Sequence, residues 1–168
     1  DGYFWLTGRA KDIIIRGGHN IDPAIIEEVL IKFPGVELVA AVGQPDAHAG
    51  EVPAAYVQVA EPQVMDVKTL HEFAKQNISE RAAIPVHIEV VDPMPVTPVG
   101  KIFKPALRHR AIERVYLETL KTAGITAKVS VHADEIKGTL AEIKLADRSQ
   151  KISAQELLVS FTVPFELS

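Results

Sequence analysis

The chain has 168 residues, 47% of them hydrophobic and 24% charged, with a formal net charge of −4. That length fits one domain, or one ordinary domain plus a small one, of a globular protein. The acidic balance argues against a nucleic-acid partner, which favours a basic face; the absence of cysteine excludes disulfides, thiolate metal sites and a cysteine nucleophile; and no apolar run is long enough to span a bilayer.

Asp1-Gly2-Tyr3-Phe4-Trp5 reads as a turn entering a strand, with no leader-like segment, so the expectation is a piece cut from a longer protein. Residues 3–7 and 12–16 are β-rich runs joined by Gly8-Arg9-Ala10-Lys11, which predicts a hairpin. Gly17-Gly18-His19-Asn20 is expected as a flexible loop. Asp22-Pro23 opens a helix, with Asp as cap and Pro at the first helical position. Ile25, Ile26, Val29, Leu30 and Phe33 follow at helical spacing, and Pro34-Gly35 stops the run. Residues 36–42 are almost continuously apolar, as in a central strand. A loop is expected over 44–51, then a strand over 54–59. A second helix starts near Asp66 and carries Val67, Leu70, Phe73, Ala74 and Ile78. Ile88 to Val91 is a third strand.

The remainder reads differently. Residues 111–123 are amphipathic, and Gly124 supplies a stop. Residues 128–132 and 139–145 form a second hairpin around a turn at 134–138. Ser153-Ala154-Gln155-Glu156 has the pattern of a capping box that opens a short helix. Residues 161–167 form a last strand, put at an edge by Pro164. The fold class is therefore α+β: an N-terminal β-hairpin, then a three-stranded sheet with covering helices, plus an appended small αββαβ unit.

Pro93-Met94-Pro95-Val96-Thr97-Pro98-Val99-Gly100-Lys101 is the most constrained stretch. Its three prolines hold the backbone extended, and Gly100 permits a turn beneath Lys101. Two readings stand: a surface turn, or an ammonium delivered to a phosphate or carboxylate oxygen. The stretch is not a P-loop, because Ile102 stands where a Ser or Thr belongs. Lys101, Lys104 and Arg108 are spaced to share a helical face, either solvated or turned to a phosphate. The six histidines have no metal-ligand spacing, so no metal site is expected. Two cation-bearing loops without a nucleophile or base suit a lid that carries charge to a phosphate held elsewhere.

These stretches resemble the C-terminal domain of the adenylate-forming enzymes, which include acyl-CoA synthetases, peptide-synthetase adenylation domains and beetle luciferase. The resemblance rests on Asp1 to Gly8-Arg9-x-Lys11-Asp12, Gly18-x-x-Ile21-x-Pro23-x-x-Ile26-Glu27, Pro34-x-Val36 and Ala41-Val42-Gly43-x-Pro45-Asp46. It continues through Gly50-Glu51, Ala55-Tyr56-Val57 and Pro95-x-Thr97-x-x-Gly100-Lys101-Ile102. It covers residues 1–108, which are expected to be a C-terminal lid domain, and leaves 109–168 as an appended subdomain.

The resemblance implies an AMP-forming acid–CoA ligase that uses ATP with Mg²⁺ and CoA, bound mostly by an N-terminal adenylation domain of the same chain. It implies Lys101 as the catalytic lysine, Arg9 in nucleotide contacts, Lys11 as hinge, and Gly17 and Gly18 beside the pantetheine of CoA. It further implies a fatty or other aliphatic acid as substrate, a cytoplasmic setting, and no activity for this fragment alone. Asn20, Ile25 and Ala82-Ala83 depart from the family's usual arginine, glutamate and lysine. Two alternatives remain open: an adenylation domain that loads a carrier protein, and a regulatory or oligomerisation role for 109–168.

Overall fold

A computed structural model describes residues 12–60 and 65–168. The predicted strand over residues 3–7, its turn, and Arg9 and Lys11 lie outside the described residues.

The first hairpin within them joins β1 (Ile14–Arg16) to β2 (His19–Ile21), with register Ile14↔Ile21 and Arg16↔His19. Gly17 and Gly18 are thus a two-residue turn, where a longer loop was expected. Both have positive φ, 54° and 86°, the conformation that a tight hairpin demands and that glycine adopts without strain. Helix α1 (Pro23–Leu30) starts as the Asp-Pro pair predicts: Asp22 accepts from the Ala24 N–H at 2.9 Å. Strand β3 (Val36–Asp46) and strand β4 (Gly50–Val59) pair antiparallel along almost their whole length. The loop expected over 44–51 shrinks to a turn at 47–49, held by the Asp46 carboxylate, which accepts from the His48 and Ala49 N–H groups. Helix α2 (Val67–Asn77) is capped by Asp66, and β5 (His87–Val90) lies parallel to β4.

Strand β4 is the centre of this sheet: it pairs with β3 on one side and with β1 and β5 on the other. Among the described residues β3 is an outer strand, although its unbroken apolar run suggested a central one. The run has another cause, because both faces of β3 are covered. Val39 and Ala41 join the core under α1 and α2, with Ile26, Leu30, Leu70 and Ala74. Ala40 and Val42 join Tyr56, Met94 and Leu107 on the opposite face.

That opposite face is covered by α3 (Lys104–Thr122), which begins seven residues before the amphipathic pattern suggested and ends at Gly124, φ 75°. At about 1.5 Å per residue it is roughly 28 Å long. Leu107 and Ala111 pack on the first sheet. Ile112, Val115, Tyr116 and Leu120 pack on a second sheet, β6 (Ala127–Asp134), β7 (Gly138–Leu145) and β8 (Phe165–Leu167). The 108/109 division therefore falls inside one continuous helix.

Helix α4 (Lys151–Leu158) closes the second core with Ala154 and Leu158. Ser153 lies inside α4 and caps nothing. The turn entering α4 is capped by Asp147, which accepts from the Ser149 N–H at 2.9 Å. Strand β8 is shorter than expected and is an edge strand, parallel to β7.

Candidate functional site

The loop from β5 to α3 is built from its prolines outward. Val91 and Met94 are buried and pin its first half, with the Met94 N–H donating to the Gln58 side chain at 2.7 Å. The second half folds back on itself. Val96 bridges Ile102, the Phe103 N–H donates to the Pro95 carbonyl at 2.8 Å, and the Thr97 N–H donates to the Lys101 carbonyl at 2.7 Å. Gly100 closes the turn at φ 78°, with its N–H donating to the Thr97 carbonyl. The Thr97 hydroxyl accepts from the Lys101 N–H at 3.2 Å. Five residues of turn thus brace the backbone of Lys101. Its side chain is exposed, and among the described residues Nζ has no hydrogen bond or ion pair. Val96, Val99 and Phe103, within five residues of it in the chain, are exposed too. A braced backbone under an unpaired ammonium is a cation held ready for an anion from outside.

Lys104 behaves otherwise. It is the first residue of α3, and its Nζ lies 2.8 Å from Glu27 Oε1, with only 20% of its side chain exposed. The same Glu27 oxygen accepts from the Ala41 N–H at 2.8 Å. Of the three basic residues spaced for one helical face, Lys101 precedes the helix and Lys104 is committed to an internal ion pair.

The Gly17-Gly18 turn stands at the other end of the sheet. Arg16 is opposite Gly50, and the Gly17 N–H donates to the Ala49 carbonyl at 2.8 Å. Arg16 Nη1 donates to the Ala82 carbonyl at 2.7 Å and ties the hairpin to the segment before β5. Among the described residues a Cβ added at Gly17 or Gly18 would meet nothing within 4 Å, so toward them the turn offers open, low-profile backbone. Ile102, next to Lys101, packs near Leu38, which is opposite Gln58 at the far end of β4. Ten residues of strand separate the two ends, roughly 30 Å. Lys101 and the glycine turn therefore cannot serve one reaction centre at the same moment.

The glycines of the shared motifs have local causes. A Cβ at Gly43 would lie 2.5 Å from Glu51 Oε2, because the Glu51 side chain folds across it to accept from the Ile15 N–H at 3.1 Å. Glu51 thereby lashes β1 to β4. Neither this contact nor the Glu27–Lys104 pair was anticipated from the residues. The only available signal was that Gly43, Gly50-Glu51 and Ile26-Glu27 recur in the motif list.

A groove of about 720 Å³ lies away from Lys101, between Glu89 and the α3 residues Arg110, Arg114 and Glu118. Four of its charges are paired with one another, Arg110 with Glu89 and Arg114 with Glu118 at 3.0 Å, while Glu113 and Lys121 also line it. Beneath it, burial pushes the Tyr56 hydroxyl up to about 12 and holds the His87 imidazole below its usual range. Among the described residues no group of three or more His, Asp or Glu side chains is placed to hold a metal ion, and no helix is long and apolar enough to cross a membrane.

Comparison with known proteins places this geometry. Residues 25–101 match the family described as the AMP-binding enzyme C-terminal domain. The chain is 45% identical over 156 residues to marinolic acid–CoA ligase of a Pseudoalteromonas species, covering 92% of this chain and 24% of that protein. A fatty acyl-CoA synthetase of Mycobacterium tuberculosis superimposes with a TM-score of 0.56 at 38% identity, over 65% of this chain and 21% of that one. An amide bond synthetase of Marinactinospora thermotolerans does so with a TM-score of 0.56 at 35% identity, over 61% and 21%. The chain spans about a quarter of the length of the curated relatives it matches. The braced lysine loop, the glycine turn and the sheet between them are thus the C-terminal domain of an adenylate-forming enzyme, and over residues 25–101 the chain belongs to the AMP-binding enzyme C-terminal domain family.

Proposed function

We propose that this chain is the mobile lid of an AMP-forming acid–CoA ligase that activates an aliphatic, fatty-type carboxylic acid. The observation that carries the reading is the pair of tools at opposite ends of one sheet: an unpaired ammonium on a braced turn, and a bare glycine turn roughly 30 Å away.

In the first half-reaction a carboxylate oxygen attacks the α-phosphorus of ATP, and pyrophosphate leaves. Two anions must approach, and Lys101 offsets their repulsion and the charge that builds in the transition state. Arg9 assists at the nucleotide. The lid then rotates about Lys11, which withdraws Lys101 and turns the Gly17-Gly18 end inward. The CoA sulfur attacks the acyl carbonyl, the acyl–phosphate bond breaks, and AMP leaves. Gly17 and Gly18 line the pantetheine passage, where a side chain would obstruct a thin ligand. ATP, its Mg²⁺ and the acid are held by the N-terminal domain, and the lid alone is inactive.

The likeness to an amide bond synthetase means that the lid fold does not choose the acceptor. CoA is favoured because the match to marinolic acid–CoA ligase covers 92% of the chain and so reaches into the appended unit. The test is to incubate the full-length enzyme with ATP, Mg²⁺ and mixed fatty acids, with and without CoA, and to read products by mass spectrometry. Acyl-CoA that forms only with CoA supports the reading. Acyl-adenylate that accumulates and ignores CoA overturns it in favour of a carrier protein or an amine as acceptor.

A further inference from the structure

Helix α3 begins against its own electrostatics. A helix N-terminus carries partial positive charge and favours acidic residues or a side-chain cap. Here Phe103 makes no cap, the first turn has no acidic residue, and the first helical residue is Lys104. Pro105 suits the first turn, but charge and cap run against local preference at the point where the chain leaves the Lys101 turn. Such conflicts are expected where a tertiary contact or a function overrides local preference.

The tertiary contact is Glu27. Its Oε1 receives the Lys104 ammonium at 2.8 Å and the Ala41 N–H at 2.8 Å, so one carboxylate oxygen joins α1, β3 and the start of α3. Both side chains are mostly buried, with 20% of Lys104 and 26% of Glu27 exposed. Only Ile102 and Phe103 separate Lys104 from Lys101. On the other side, the hydrogen bonds that brace the Lys101 turn itself run within it, through Thr97, Val96 and Pro95, while Met94 and Ile102 at its flanks pack on the sheet. The turn is internally stiff, and where it points is set by its junction with α3.

We propose that Glu27 is a positioning residue for Lys101: through Lys104 it moors the α3 end of the lysine turn to the sheet, and so fixes where the catalytic ammonium is presented. The proposal rests on the reading of Lys101 given above. The Gly17-Gly18 turn, at the opposite end of the sheet, does not depend on this mooring. The ion pair therefore acts on adenylate formation and not on thioester formation.

The experiment uses the full-length enzyme and assays its two half-reactions separately. Pyrophosphate exchange into ATP reports adenylate formation, and release of acyl-CoA from supplied acyl-adenylate reports the second step. Glu27→Gln keeps an oxygen for the Ala41 N–H but removes the charge that Lys104 needs. It is expected to lower the kcat of adenylate formation by about tenfold to a hundredfold, the scale of a misplaced catalytic group. The KM for ATP and the second half-reaction should stay within about twofold. Lys104→Met should do the same, Lys104→Arg should restore most of the rate, and the double variant should be no worse than either single one.

Equal loss of both half-reactions would make Glu27 a merely structural residue and overturn the proposal, as would additive losses or an unaltered kcat. Lys101→Ala is assayed alongside. If that variant keeps adenylate formation, the reading of Lys101 fails, whatever Glu27 does. If it abolishes adenylate formation while Glu27→Gln changes nothing, the mooring alone fails.

Discussion

Lys101 and Gly18 carry opposite predictions because they sit at opposite ends of the sheet. Lys101→Ala in the full-length enzyme should reduce adenylate formation by at least about a hundredfold, the scale of removing one preorganised charge from a transition state. It should spare thioester formation from supplied acyl-adenylate. Gly18→Asn should do the reverse: asparagine tolerates the positive φ of 86°, and its Cβ meets nothing within 4 Å, so the turn survives while the passage narrows. Equal effects on both steps, from either variant, would refute the division of labour. His87 makes a separate prediction about pH. Burial first, and then Arg114, hold its imidazole below the usual 6.5, while Glu89 and Glu118 pull the other way. The unfolded chain therefore takes up the proton first. Stability is full above about pH 6.5 and falls as pH drops from there towards the lowered folded value. His109 adds to the same window, because burial lowers it too, against Glu113 and alongside His132 and Arg108. Asp46 and Glu89, held below 3.8 and 4.5, lose their contributions only at lower pH. Urea midpoints at pH 7.5 and 5.5 should differ less in His87→Gln than in the parent; an unchanged difference would remove His87 from the account. The motifs contain Lys101, Gly18 and Glu27 alike, but nothing local told what Glu27 holds, since its partners are 14 and 77 residues away.

Helices α1 and α2 start where aspartate caps and proline said they would, because capping is settled within three residues. Helix α3 was expected seven residues too late. Its first two turns carry Lys104, Arg108, His109 and Arg110, and this polar run hides Leu107, the one buried residue among them. Among the described residues β1 has one register pair with β4, to which the Glu51 carboxylate adds a hold on the Ile15 N–H. Gly43→Ala tests that hold. The new Cβ would sit 2.5 Å from Glu51 Oε2, and the flexible tip of Glu51 should swing aside to make room. Losing that bond should cost about 1 kcal/mol. Exchange of the Ile15 amide should quicken while amides in the middle of β4 keep their protection. Undiminished protection at Ile15 would show that Glu51 is dispensable there.

The described residues form three cores, and two of them share helix α3. Their sharing of α3 predicts coupled unfolding. Leu158→Ala, at a fully buried site in the second core, should cost about 2–5 kcal/mol. The loss should appear in hydrogen-exchange protection of β4 as well as β7. A loss confined to β7 would show two independent units and would favour a boundary at 108/109. Periodicity, caps and glycine or proline punctuation determined most elements and the α+β class by themselves, since each depends on neighbours within a turn or two. The shared motifs determined the family and marked the lysine turn. Only the tertiary structure decided that β4 is central and β3 outer, that β5 and β8 run parallel to their neighbours, and that α3 serves both sheets. It alone also decided that Lys104 is spent on Glu27 while Lys101 has no partner among the described residues, with the glycine turn at the far end of the sheet. The reason is physical: a residue's pattern reports whether its faces are covered, but which strand, helix or carboxylate covers them is settled by contacts between segments far apart in the chain.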